Sequence, residues 1–65
     1  MSSVKRLVRL IDMTYILESK NGTKVAYLAN KYQVSQKQIY RDLAILQEAG
    51  LPIYKDNGYK VLKPI

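Results

Sequence analysis

The 65-residue chain contains no cysteine and no histidine. Without thiols it has neither disulfides nor a thiolate zinc site to brace it. Without imidazole it lacks the commonest general base and metal ligand. Its five acids, Asp12, Glu18, Asp42, Glu48 and Asp56, are scattered. They include no carboxylate pair placed for acid–base work, and there is no Gly-rich phosphate loop. These absences argue against an enzyme and against any metal or cofactor. Long apolar runs are missing as well: Lys5, Arg6, Arg9 and Asp12 interrupt the N-terminal segment. That segment therefore reads as neither a membrane span nor a secretion signal, and a cytoplasmic location is expected. Repeats, linkers and low-complexity stretches are also absent.

What the chain does have is positive charge, with 11 Lys and Arg against five acids and a net charge of +6. Such an excess fits nucleic acid or an acidic surface as partner. A hydrophobic content of 48% is that of a folded domain rather than a disordered basic tail. The length allows one domain, spanning residues 1–65, that buries only about 60% of its unfolded surface.

Residues 34–50, VSQKQIYRDLAILQEAG, carry the clearest helical signal. Ser35 is a good N-cap, Gly50 suits the position after the last turn, and Pro52 prevents resumption. A helix is predicted over about 36–49, with Ile39, Leu43 and Leu46 as its apolar stripe. Lys37, Arg41, Ala44 and Glu48 fall on the opposite side, with Tyr40 on the flank. Lys37 and Arg41 sit four apart with no acid one turn earlier, which suits an anionic partner.

Upstream, Val4, Leu7, Val8, Ile11 and Tyr15 trace a stripe along a first helix over about 4–19, with Ser2 or Ser3 as N-cap and Leu10 and Leu17 flanking. Lys5, Arg6 and Arg9 lie on the other side, and so do Met13 and Ile16. Those two apolar residues imply either cover within the protomer or a contact with a further domain or with a second subunit, the last giving a weak homodimer. Lys20-Asn21-Gly22 is a turn, Thr23 can cap a second helix over about 24–32, and Gln33 makes a tight connection to Ser35. Two helices so joined are a helix-turn-helix. Residues 53–62 read as a hairpin about Asn57-Gly58. A two-residue turn would set Lys55 opposite Lys60, Tyr54 opposite Val61 and Ile53 opposite Leu62. The lysine pair would then straddle a phosphate or guard the edge.

Leu28-Ala29, Val34-Ser35, Ile39, Arg41-Asp42-Leu43, Leu46, Gly50-Leu51-Pro52-Ile53 and Gly58-Tyr59 together resemble the winged helix-turn-helix domains of bacterial regulators. The match is nearest to DeoR-type and WYL-associated N-terminal domains. The closing Gly-Tyr and Lys63-Pro64 are also similar to biotin-repressor-type proteins. The resemblance implies a mainly α fold of three helices and a β-hairpin wing. It also implies a sequence-specific double-stranded DNA-binding transcriptional regulator, with the third helix in the major groove. By the same pattern Gln36, Lys37, Gln38 and Arg41 approach base edges or flanking phosphates, and Tyr40 is either a phosphate donor or stacking surface or a base contact. Thr23 and Lys24 at the second helix, with Lys55, Asn57 and Lys60 in the wing, complete the expected DNA-binding set.

Two residues depart from that pattern. Gln38 stands where the family has Thr, and Gln can reach adenine N6 and N7. Gln33 stands where many such turns carry Gly. It either takes a positive φ at about 1 kcal/mol or makes a different turn. Asp42 is expected to fix the third helix to the body rather than to read bases. In the families it resembles, this domain heads a longer chain. The 65 residues therefore correspond either to such a head or to a small factor, for instance a mobile-element repressor or an excisionase-like architectural protein. Alternatives are a winged helix that docks an acidic protein and, less favoured by the scattered aromatics, an RNA-binding role.

Overall fold

The computed structural model describes residues 3–62. Three helices, α1 (Ser3–Ser19), α2 (Val25–Tyr32) and α3 (Gln36–Glu48), are followed by an antiparallel hairpin of β1 (Ile53–Lys55) and β2 (Tyr59–Val61). This is the winged-helix arrangement. The N-cap expected at Ser2 or Ser3 concerns side chains outside those described, as does the closing Lys63-Pro64.

The core joins Met13 and Leu17 of α1, Val25, Leu28 and Ala29 of α2, Ile39 and Leu43 of α3, and Ile53 of β1. Ile16, Tyr32, Val34, Leu46, Leu51, Tyr59 and Val61 pack around it. α1 departs most from expectation, because the side it buries is the one that reads as polar. Met13 and Leu17 are 0% and 1% exposed and Arg9 is buried, whereas Val4, Leu7, Val8, Ile11 and Tyr15 remain 70, 58, 61, 52 and 68% exposed. Two circumstances account for this orientation. Met13, Ile16 and Leu17 supply a second apolar face, about 180° from the longer stripe at 100° per residue. The cation on that face, Arg9, has a buried carboxylate waiting for it. Met13 and Ile16 therefore pack within one protomer, which removes them as a reason for self-association.

The two helix ends of the helix-turn-helix close alike. After α2, Gln33 takes φ 56° and ψ 47°, and N–H groups of Gln33 and Val34 donate to the carbonyls of Asn30 and Ala29 at 3.3 and 3.0 Å. After α3, Gly50 takes φ 105°, and Gly50 and Leu51 donate to Gln47 and Leu46, each at 3.0 Å. Both are Schellman closures. Gln33 accepts the left-handed conformation that glycine would take freely. Its side chain adds a bond from Nε2 to the Asn30 carbonyl at 2.7 Å.

The hairpin closes through a longer loop than the two-residue turn expected. Ile53 pairs with Val61, Tyr54 with Lys60 and Lys55 with Tyr59, leaving Asp56, Asn57 and Gly58 in the loop. A one-residue shift exchanges the faces of a strand. Here it brings Ile53 to the core face with Tyr59 and Val61, and it places Lys55 and Lys60 on opposite faces. The expected lysine pair does not form.

The loop also docks. Thr23 and Tyr59 exchange backbone hydrogen bonds at 2.9 and 2.8 Å, making an isolated bridge beside the hairpin. Gly58 packs so closely there that a Cβ would lie 2.8 Å from the Thr23 nitrogen, and its φ is 105°. Glycine is required at this position for both reasons.

On the α1–α2 side, the Tyr32 hydroxyl donates to Asp12 at 2.5 Å. Burial, and secondarily this bond to a carboxylate, push the Tyr32 phenol above its ordinary value of 10.0.

Candidate nucleic-acid interface

The exposed side of α3 follows from its caps and its buried stripe. Ser35 Oγ accepts the Gln38 N–H at 3.1 Å, which fixes the start of the helix. Ile39, Asp42 and Leu43 turn inward. Lys37, Arg41, Ala44 and Glu48 are left in solvent, and Gln36 and Tyr40 are exposed on the flank. Gln38 is half-buried on the other flank, beside Asp42.

Asp42 is wholly buried and holds α3 to α1. Arg9 donates to it twice, from Nε to Oδ2 at 2.6 Å and from Nη2 to Oδ1 at 3.2 Å. Gln38 Nε2 donates to Oδ1 at 3.0 Å, and Arg6 Nε approaches the same oxygen at 3.6 Å. A bidentate guanidinium–carboxylate pair with a further donor meets the conditions under which a buried ion pair is tolerated. It also has an electrostatic consequence for the surface. The acid within α3's own sequence motif is neutralised inside, so it does not offset Lys37 and Arg41 outside.

The start of α2 lies next to this face. Its N-cap, Lys24, makes no side-chain cap, so the first-turn N–H groups of α2 receive no acceptor from that residue. Lys24, Val25 and Ala26 form one wall of a cleft of about 290 Å³, completed by Gln36 and Tyr40 of α3 and by Lys55, Gly58 and Tyr59 of the wing. The Tyr40 and Tyr59 rings meet edge to face at 6.5 Å, tying α3 to the hairpin. Lys24 Nζ reaches Asn57 Oδ1 at 3.4 Å, tying α2 to the wing loop. Two lysines, a tyrosine hydroxyl, a glutamine amide and an uncapped helix start are together suited to a phosphate oxygen.

Of the ten residues expected at the interface, this arrangement gathers Lys24, Gln36, Tyr40 and Lys55 around the cleft and sets Lys37 and Arg41 on the adjoining helix face. Asn57 is exposed on the loop. Thr23 and Lys60 do not join them. Thr23 is buried in its bridge to Tyr59, with a hydroxyl that has no hydrogen-bond partner, and it does not cap α2. Lys60 is turned to the other face of the hairpin, where its ammonium lies 3.4 Å from Asp56. Sequence reasoning missed Ala26 and the uncapped start of α2. The available signal was the lack of a cap at Lys24, once Thr23 is seen to belong to the sheet.

Among the described residues no group of three or more His, Cys, Asp or Glu is placed to hold a metal ion, and no helix is long and apolar enough to cross a membrane.

The comparisons with known proteins agree with this architecture. A protein of Bacillus subtilis (strain 168), described as an uncharacterized HTH-type transcriptional regulator, YobV, is 40% identical over 53 residues. The aligned region is 82% of this chain but only 17% of that relative, so this chain corresponds to a small part of it. The family model for the HTH domain, HTH_11, matches residues 9–60, from Arg9 of the Asp42 ion pair to Lys60 of the wing. The chain belongs to the HTH domain family HTH_11.

Proposed function

We propose that this domain binds double-stranded DNA in a sequence-specific manner and serves a transcriptional regulator, with α3 in the major groove. The observation that carries the reading is the continuity of one basic, polar surface. It runs from Lys37 and Arg41 on α3 to the cleft of Lys24, Gln36, Tyr40 and Lys55. In this reading Lys37 and Arg41 address base edges and nearby phosphates, and Gln38, whose Nε2 is held by Asp42, has its amide oxygen left to offer. The cleft seats a backbone phosphate, and Asn57 follows the strand beyond it. Membership of an HTH family and the regulatory name of the relative support the class of function. The likeness of residues 35–53 to DeoR-type and WYL-associated domains is the finer form of the same proposal. The domain acts in the cytoplasm, on the nucleoid, by binding alone and without a cofactor.

The corrected wing changes the assignment of its lysines. Lys55 borders the cleft and contacts the backbone. Lys60, shared with Asp56, contributes little. Titration of duplex DNA against salt tests the whole reading. With roughly four to six phosphates neutralised per monomer, log K falls against log salt with a slope near −4 to −5. Absence of duplex binding at low salt, or a flat salt response, contradicts it and turns attention to an acidic protein partner.

A further inference from the structure

The exposed stripe of α1 is the feature that the DNA-binding reading leaves unused. Val4, Val8, Ile11 and Tyr15 follow one another at spacings of four, three and four, and Leu7 flanks them. That is the spacing of a coiled-coil seam, in which each residue lies between those of a facing helix. All five are more than half exposed. Together they leave on the order of 500 Å² of apolar side chain in water, within the range of the largest patch on an ordinary monomer. Two such faces brought together remove at most about 1,000 Å², which is the lower limit for a specific interface.

The charges of α1 say which occupant fits. A helix is favoured by acids in its first turn and bases in its last. α1 has no acid in its first turn and no base in its last. Instead Lys5 and Arg6 stand near its start and Glu18 near its end. These signs oppose the helix's own dipole and complement an antiparallel neighbour of the same sequence. Such a neighbour's Glu18 comes beside the start of the helix, and its Lys5 comes within a turn of the last carbonyls. Arg6 takes no part, because its Nε lies 3.6 Å from Asp42 on the opposite side of α1. Glu18 is exposed and lies along the continuation of the seam.

We infer that α1 pairs antiparallel with α1 of a second copy of this chain, through a two-fold seam in which Val4 meets the partner's Tyr15 and Val8 meets the partner's Ile11. The stripe points away from the side of α1 that holds Asp42 and α3. Pairing therefore leaves the Lys37–Arg41 face uncovered, and the dimer presents two DNA-reading surfaces at once. The small seam makes the association weak, with dissociation in the range of about 10–500 μM.

Sedimentation of the DNA-free chain up to about 1 mM tests this independently of DNA binding. The expected result is a mass rising from one protomer towards two with concentration. Val8→Glu with Ile11→Glu, both at exposed positions, abolishes the rise and keeps the helical circular dichroism. Glu18→Lys weakens association about tenfold while raising the thermal midpoint of the dilute monomer, because it corrects the dipole of the single helix. Because the chain has no cysteine, Val4→Cys with Tyr15→Cys reports the direction of pairing. Oxidation gives a covalent dimer from the double variant and none from Val4→Cys alone. A chain monomeric at every concentration, or association untouched by the two glutamates, overturns the inference and leaves the face to some other occupant. Cross-linking by Val4→Cys alone overturns the antiparallel geometry.

Discussion

α3 and α1 lie side by side and treat charge in opposite ways. α3 buries its apolar stripe and turns Lys37 and Arg41 to solvent, with one exception, a buried aspartate. α1 buries an arginine and leaves its longest apolar stripe in water. The two exceptions are the same feature seen from either side, because Arg9 and Asp42 hold each other. The difference shows that the orientation of a helix need not follow its largest hydrophobic face. One buried acid on a neighbour selects the face that carries its counter-ion, provided enough apolar side chains accompany it. Met13 and Leu17 meet that condition.

The strongest way to break the comparison is to remove the shared acid. Asp42→Ala leaves the Arg9 guanidinium buried without its main partner, and it should cost about 3–5 kcal/mol. In a domain of this size that unfolds most of the population, as read by urea denaturation. A loss below about 1 kcal/mol would mean that α1 is oriented by its apolar contacts alone.

Next in size is the contrast between the two faces of α1. Met13→Ala should cost about 2–5 kcal/mol, and Ile11→Ala less than about 0.5 kcal/mol in dilute solution. Equal costs would show that the exposed stripe is covered within the protomer.

On α3, Arg41→Ala should weaken duplex binding about tenfold and lower the salt slope by about one unit, with the thermal midpoint nearly unchanged. Lys60→Ala should change affinity much less than Lys55→Ala. Competition assays at two salt concentrations measure both.

The smallest effect concerns Tyr32. Its phenol is raised above 10.0 in the folded protein, so the stability it contributes is fully present below about pH 10 and declines as pH rises beyond that, when the unfolded chain ionises first. Tyr32→Phe should cost about 1 kcal/mol at neutral pH. The gap from the parent protein should narrow in urea titrations above pH 10. A constant gap would separate the hydroxyl from the pH response.

What the sequence makes legible is local. The caps at Ser35 and Gly50 and the stripe of Ile39 and Leu43 need only residues within one helix and its ends, and α3 forms as those residues imply. The face of α1 is not local. The period counts Val4, Leu7, Val8, Ile11 and Tyr15 as the better stripe, and only a carboxylate 33 residues away from Arg9 reverses the choice. The wing fails for a related reason. Asn57-Gly58 marks a turn, but the register depends on Ile53 reaching the core and on Gly58 fitting against Thr23. The same docking takes Thr23 out of the surface and Lys60 away from Lys55. Lys24, Gln36, Tyr40, Lys55, Lys37 and Arg41 remain a continuous surface because each sits at the start of α2, in the first two turns of α3 or on a strand that packs against them.

The most direct measurement is an amide NMR titration of the chain with a short duplex at two salt concentrations. The account predicts shifts concentrated in the first two turns of α3, at Lys24 to Ala26 and in the wing loop, with the residues between Val4 and Tyr15 unmoved by DNA and all shifts reduced at the higher salt. Shifts centred on the α1 stripe, or none on α3, would contradict it.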